Sequence, residues 1–400
     1  MNIAVIFDKE IQSGGGFQYG LSIILLLNRN KSEKYNFIFF STKQENRVIL
    51  RKYDIDCLYL DLSPFNMFYS YLRRNLLLHR ILNAVCKNVK FDRVLEKYDI
   101  DLIYFISPSY FSLFTENFNH IITVWDLCHR DFMEFPEVRE HREFERREYL
   151  FKNILPKAIK VIVSSESEKR NLVRRYGIDE TRIISIPMLP SDHVGISEIE
   201  YEKNFVDVKK KYGINGEYIF YPAQFWSHKN HIYILEGLKL LKEKYNKIIN
   251  AVFSGSDKGN LGFVLGKAKE FGIENQIHYI GFVDSDEIPY LYRQAIAVAI
   301  PTYFGPTNIP PLEAFKLGCP VLYSDLPGMR EQAEDAALFL DLKDPESLAI
   351  NLLKIIESQD CVDVLKANGK KRAESLREED TWFSLKEIFD EYAIKLKCWR

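Results

Sequence analysis

The sequence predicts an α/β chain of two doubly wound domains, each a mostly parallel sheet with helices on both faces, facing one another across a cleft. Three observations predict it. Short apolar runs rich in β-branched and aromatic residues alternate with longer helical patterns along almost all of the 400 residues. The alternation lapses at 187–204, PMLPSDHVGISEIEYEKN, which has two prolines and no period, and then restarts. A chain of this length also exceeds what one hydrophobic core ordinarily organises.

The opening run NIAVIF, 2–7, is apolar after its first residue, as suits a strand buried on both faces. A helical stretch follows at 16–30. Strands are then predicted at 36–41 (NFIFFS), 56–60, 101–106 (DLIYFI), 120–125 (HIITVW) and 160–164 (KVIVS), separated by helices at 65–88, 138–155 and 166–176. The second half places strands at 217–222, 249–254, 277–281, 295–300 and 319–323, each followed by a helix. The organisation read from this is a Rossmann-like domain over 1–190, a linker over 191–204, a second Rossmann-like domain over 205–380 and a terminal helix over 381–400. That helix carries Trp382, Phe383, Leu385, Ile388, Phe389, Tyr392 and Leu396 on one face and either caps the second domain or crosses back onto the first.

Composition narrows the function classes. With 46% hydrophobic and 28% charged residues the chain is neither disordered nor collagen-like. A net charge of −2, from 54 basic and 56 acidic residues, leaves no footprint for nucleic-acid binding. The six cysteines lie far apart without a C-x-x-C pair, as expected for reduced thiols and not for a zinc site. No basic-then-apolar leader opens the sequence and no apolar run reaches about 18 residues, so a cytoplasmic protein is expected. One segment, 65–98, sets seven Lys and Arg against Asp92 and Glu96 among Phe, Tyr and Leu. It reads either as a peripheral contact with anionic lipid at the inner face of the membrane or as a core helix with a basic outer side.

The chemistry concentrates where strands run into helices. In 300–325, IPTYFGPTNIPPLEAFKLGCPVLYSD, Asn308 is placed as an N-cap, Ile309 opens the helix and Pro310 and Pro311 occupy its first turn. Free N–H groups then concentrate on Thr307, Asn308 and Ile309 at the positive end of the helix, where a diphosphate would bind. Glu313, one turn on, is within reach of a ribose; its bland alternative is a place on a solvated face. In 218–237, Lys229 precedes a helix and could neutralise a phosphate, while His228 and His231 read as a solvated pair without metal-ligand company. Gly15 and Gly16 lie where the first strand meets the first helix and let backbone approach a ligand. Asp126 and His129, after the strand 120–125, could hydrogen-bond sugar hydroxyls or relay a proton, or merely cap a turn. Ser254 with Gly255, and Phe282 with Val283, read by themselves as a turn and the approach to a helix. The triplets Asp54-Ile-Asp56, Asp99-Ile-Asp101 and Asp284-Ser-Asp286 read as turns and caps, so no metal is implied.

Together these motifs resemble the group-1, family 4 retaining glycosyltransferases of the GT-B fold. Pro310, Glu313, Ala314, Gly318, Pro320, Val321, Ser324 and Asp325 match the family's donor-binding helix and its tail. Gly305 stands where the family has its first glutamate, Gln224 where it has an arginine, and Trp125 where it has a histidine beside Asp126. The resemblance implies a nucleotide diphosphate-sugar donor held without a cofactor, and a hydroxyl acceptor on a glycan or lipid-linked glycan in bacterial polysaccharide assembly. It implies that Lys229 and the amides of 307–309 meet the leaving diphosphate and that Glu313 holds the ribose. It further implies that Gln224, Gly15, Gly16, Ser254 and Gly255 contact the donor while Phe282 and Val283 border the base. The competing readings are a catalytically weak nucleotide-sugar-binding partner, suggested by Gly305 and Gln224, and a sugar-nucleotide epimerase of the same architecture.

Overall fold

The computed structural model describes residues 1–10, 14–60, 90–115, 117–191, 194–305 and 307–400. Two parallel sheets form within them. The first joins β1 (Asn2–Ile6), β2 (Asn36–Ser41), β3 (Cys57–Tyr59), β4 (Leu102–Phe105), β5 (His120–Thr123), β6 (Lys160–Val163) and β7 (Ile183–Ser185) in the order β3-β2-β1-β4-β5-β6-β7. The second joins β8 (Tyr218–Pro222), β9 (Asn250–Ser254), β10 (Ile277–Tyr279), β11 (Ala297–Ile300), β12 (Val321–Ser324) and β13 (Ala337–Leu340) in the order β10-β9-β8-β11-β12-β13. In each sheet the first strand lies inside, paired on both sides: Val5 faces Phe39 and Tyr104, and Ile219 of β8 faces Ala251 and Ala297. Such strands need apolar side chains on both faces, which explains their unbroken hydrophobic runs.

Helix Gly15–Arg29 covers one face of the first sheet with Phe17, Ile23, Ile24 and Leu27. Helix Glu143–Ile154 covers the other with Leu150 and Phe151. The terminal helix Glu378–Leu396 also packs on the first domain: Leu385, Ile388 and Phe389 join its core, and Trp382 and Phe389 meet Tyr35 and Phe37 edge-on or tilted. Tyr392 fixes the register, donating to the carbonyl of Asp101 at 2.9 Å and accepting from Asn119 at 3.0 Å.

Three local differences from the sequence reading have physical causes. The stretch 138–155 is not one helix: His141 and Arg142 take left-handed backbone, φ 52° and 60°, which separates the turn Pro136–Arg139 from Glu143–Ile154. The linker stretch is not structureless, because Ser197 and Glu200 close a reciprocal capping box that starts helix Glu198–Lys203. Strands β7 and β13 are short edge strands that periodicity alone does not separate from their flanking turns. The predicted helix 65–88 lies outside the described residues, as does most of the basic segment 65–98, of which Lys90–Lys97 is helical. Among the described residues no helix is long and apolar enough to cross a membrane.

Candidate active site

The carboxyl ends of both sheets face one cavity of about 860 Å³ between the domains, within the size range of small-molecule sites. Gly15, Gly16, Asp126, Gln224, Lys229, Ser254, Gly255, Phe282, Val283, Thr307, Asn308, Ile309 and Glu313 all line it. His129 does not.

Lys229 ends the short turn Ser227–Lys229, and the left-handed Asn230 then starts helix His231–Tyr245. Its Nζ donates to Asn308 Oδ1 at 3.3 Å, across the mouth of the next helix, Ile309–Leu317. Burial lowers its pKa from 10.5 to about 8, against the pull of Asp126 and Glu137. Such an ammonium gains most when an anion arrives beside it.

Asn308 occupies the N-cap position of helix Ile309–Leu317 with extended backbone, yet its side chain does not cap. Nδ2 donates instead to the Gly305 carbonyl at 3.2 Å and to Tyr323 Oη at 2.9 Å. Its own N–H donates to Gln332 Oε1 at 3.0 Å, so the expected trio of free amides is corrected to a pair. The N–H groups of Thr307 and Ile309 meet no acceptor among the described residues and keep the positive end of the helix dipole open to the cavity. Glu313 is 6% exposed, not solvated, and accepts from the buried Tyr292 hydroxyl at 2.6 Å through Oε2.

The glycine loop of the first domain lies over this helix. A Cβ at Gly15 would stand 3.7 Å from Ile309 Cδ1, and one at Gly14 3.7 Å from Gln224 Nε2. A Cβ at Gly16 would stand 2.7 Å from the Trp125 ring, so only glycine allows that approach. Gln224 is braced by Trp226, whose indole donates to its Oε1 at 3.0 Å. Ser254 and Gly255 end β9 on the cavity floor, Val283 is buried beside them, and Phe282 is 64% exposed at the rim.

Asp126 is held in place by a residue that periodicity did not single out. Arg147, from helix Glu143–Ile154, donates through Nη2 to Asp126 Oδ1 at 2.6 Å and to its carbonyl at 2.9 Å. Burial pushes the Asp126 pKa up, but the guanidinium outweighs it and holds the carboxylate below its usual range. Asp126 is therefore a fixed anion that accepts hydrogen bonds; a proton relay through it is not supported. The His129 assignment is corrected. Its ring is fully buried between Phe144 and Phe151, with Nε2 2.8 Å from Tyr176 Oη and 3.3 Å from Glu148, and burial lowers its pKa to about 4. The histidine pair is also buried, not solvated. His228 bonds to Glu137 of the first domain through its backbone N–H, at 2.9 Å, and through its ring. His231 stacks on Phe225 at 4.2 Å. Among the described residues no group of three His, Cys, Asp or Glu is arranged to hold a metal.

Residues 204–372, most of the second domain, match the sequence profile of the family "Glycosyl transferases group 1". In sequence the second domain thus resembles the group 1 glycosyl transferases. Among curated relatives it is 25% identical over 247 residues to the O-antigen chain mannosyltransferase B of Escherichia coli, covering 60% of this chain and 64% of that protein. It is 24% identical over 247 residues to the O-antigen chain mannosyltransferase RfbU of Salmonella typhimurium, covering 61% and 63%. The matches thus span just under two thirds of these relatives' lengths. Among solved structures, HepE of Anabaena in complex with UDP and glucose superposes with a TM-score of 0.74 at 15% identity, over 98% of this chain and 100% of that one. A glycosyltransferase from Rickettsia africae superposes with a TM-score of 0.71 at 18% identity, over 98% of both chains. The fold is GT-B, as the resemblance implied.

Proposed function

We propose that this chain is a group 1 glycosyl transferase that transfers a sugar from a nucleotide diphosphate-sugar to a hydroxyl of a glycan or lipid-linked glycan, with retention at the anomeric carbon, in polysaccharide assembly. The observation that carries the reading is the convergence of Lys229, the Thr307 and Ile309 amides, Glu313 and the glycine loop on one interdomain cavity. As the bond from the anomeric carbon to the diphosphate breaks, negative charge grows on phosphate oxygens, and Lys229 and the two amides are already placed to meet it. Glu313, anchored by Tyr292, accepts from the ribose hydroxyls. Asp126, fixed by Arg147, accepts from the transferred sugar. The departing phosphate takes the acceptor's proton on the face it leaves, which accounts for retention. The domain walls exclude water meanwhile.

The two O-antigen relatives are named mannosyltransferases, and the Anabaena protein is held with UDP and glucose; both support a sugar-nucleotide donor and make mannosyl and glucosyl donors the first to try. Calorimetry with UDP, GDP, ADP and CMP and their sugar conjugates, with and without EDTA, tests the reading. One nucleotide should bind without metal, and Lys229→Ala and Glu313→Ala should each reduce both binding and transfer with the fold intact. Wild-type-like turnover in both variants refutes the site. The reading as a weak binding partner rests on Gly305 and Gln224 and makes the opposite forecast: binding without turnover. Release of an epimerised donor in the absence of acceptor would instead indicate an epimerase. The proposal includes a peripheral membrane contact through 65–98, tested by sedimentation with anionic vesicles.

A further inference from the structure

A second chamber of about 620 Å³ opens beside the first. The two share Asp126, Cys128, Phe304 and Gly305 as walls. Gly305 is the position at which the chain lacks the family's glutamate. A Cβ there would meet nothing nearer than Asn308 Oδ1 at 3.6 Å, and φ is +91°, a backbone that disfavours any side chain. No side chain at 305 therefore stands between the chambers.

The lining of the second chamber combines apolar ring faces with hydrogen-bonding groups. Phe132, Tyr303 and Phe304 supply half-buried aromatic surface, with Phe132 and Phe304 5.7 Å apart. Asp131 and, from helix Glu166–Tyr176, Glu168, Arg170, Asn171 and Arg174 supply the polar groups, of which Asn171 is already engaged, donating to Asp131 at 2.6 Å and accepting from Arg174 at 3.0 Å. Glu168 is only 5% exposed, and its Oε1 has no hydrogen-bond partner among the described residues. A buried oxygen left unpaired is unfavourable, and the expectation is that something satisfies it.

We infer that the second chamber is a sugar-ring subsite: Glu168 bonds a hydroxyl of a sugar lying beside the Phe132 and Phe304 rings, next to the donor diphosphate. The inference rests on the proposed donor site and extends it. Burial and the nearby Asp126 and Asp131 raise the Glu168 pKa to about 8, so at neutral pH the group carries a proton and serves as donor as well as acceptor to a hydroxyl. The ring belongs either to the donor's own sugar, extending through the gap at Gly305, or to the acceptor.

Glu168→Ala and Glu168→Gln test this, with UDP, GDP, their glucose and mannose conjugates, and methyl α-mannoside and methyl α-glucoside as probes. Free nucleotide diphosphate should bind Glu168→Ala within twofold of wild type. If the ring is the donor's, nucleotide-sugar affinity falls tenfold or more while free nucleotide does not change. If it is the acceptor's, nucleotide-sugar affinity is retained, and saturation-transfer signals of the methyl glycosides, recorded with nucleotide bound, vanish. Glu168→Gln, which keeps the hydrogen bond, should restore either effect to within about threefold; a purely structural carboxylate would show no such rescue. Wild-type behaviour of Glu168→Ala toward nucleotide-sugar and glycosides alike overturns the subsite and leaves the donor site standing. Failure of the wild-type chain to bind any nucleotide diphosphate overturns the donor-site reading itself, and the subsite with it.

Discussion

Lys229 offers the sharpest test, because its environment sets a pH for it. Burial places its pKa at about 8 in the free protein. The diphosphate, in contrast, needs the ammonium charged, so binding above that pH must take up a proton. One pH unit beyond the pKa leaves about a tenth of the lysine charged, and the affinity loss approaches tenfold per unit, about 1.4 kcal/mol. The fall levels off once the neutral lysine contributes no more than alanine would. A charge-assisted hydrogen bond is worth about 1.5–3 kcal/mol, which sets the floor for Lys229→Ala at roughly 10- to 150-fold weaker binding. The assay is calorimetry with the nucleotide diphosphate that binds, from pH 6.5 to 9.5, in two buffers of different ionisation enthalpy so that proton uptake is counted directly. Wild type should show uptake rising above pH 8, and Lys229→Ala should show a flat profile. Affinity that is level through pH 9 in wild type, or an alanine variant that binds as tightly as wild type, would refute the assignment of charge to this side chain.

Removing the guanidinium that fixes Asp126 should be expensive for the fold. Arg147→Ala leaves the partly buried Asp126 carboxylate without its guanidinium; the about 3–5 kcal/mol typical of a fully buried pair is an upper bound, and a thermal melt should show the loss even without ligand. Glu168 has a folded pKa of about 8 above its ordinary 4.5, so its contribution to stability is full below pH 4.5 and is lost as pH rises through 8. Glu168→Gln lacks that loss, and its melting temperature should gain on wild type between those limits and run parallel above them; a constant gap from pH 4 to 9 would contradict the buried carboxyl. Phe389→Ala should cost about 3–5 kcal/mol by emptying the contact between the terminal helix and Tyr35 and Phe37, read as denaturant midpoint, with first-domain amides losing exchange protection ahead of those in the second.

What could be read from sequence was whatever a local pattern determines. Strands β1, β2, β4 and β8 announce themselves as unbroken apolar runs because a strand buried on both faces permits nothing else. Pro310 and Pro311 mark the start of the donor helix because only a first turn accepts them without lost hydrogen bonds. Asn308 shows where that logic ends: its identity suits a cap, but Lys229 and Tyr323, 79 and 15 residues away, claim its side chain. Gln332 takes its amide from 24 residues away, and nothing within the helix signals this. His129 lies one residue beyond Cys128 in a polar stretch, so its burial depends on where helix Glu143–Ile154 packs. Arg147 sits among five other charges in EFERREYLFK, where periodicity gives no reason to choose it.

The terminal helix has a mechanical consequence. The chain passes between the domains twice, outward through the stretch after Ile186 and back just before Glu378. Pro187, Met188 and Leu376 wall one small cavity of about 30 Å³, so the two passages run side by side. A single tether would let one lobe swivel about any axis; two neighbouring tethers act as the pins of a door, leaving chiefly one rotation, about the line through them. Any relative rotation of the lobes would then be smallest at the pins, where Ser164 bonds Thr307, and largest at the outer lip, where it would first have to part His228 from Glu137.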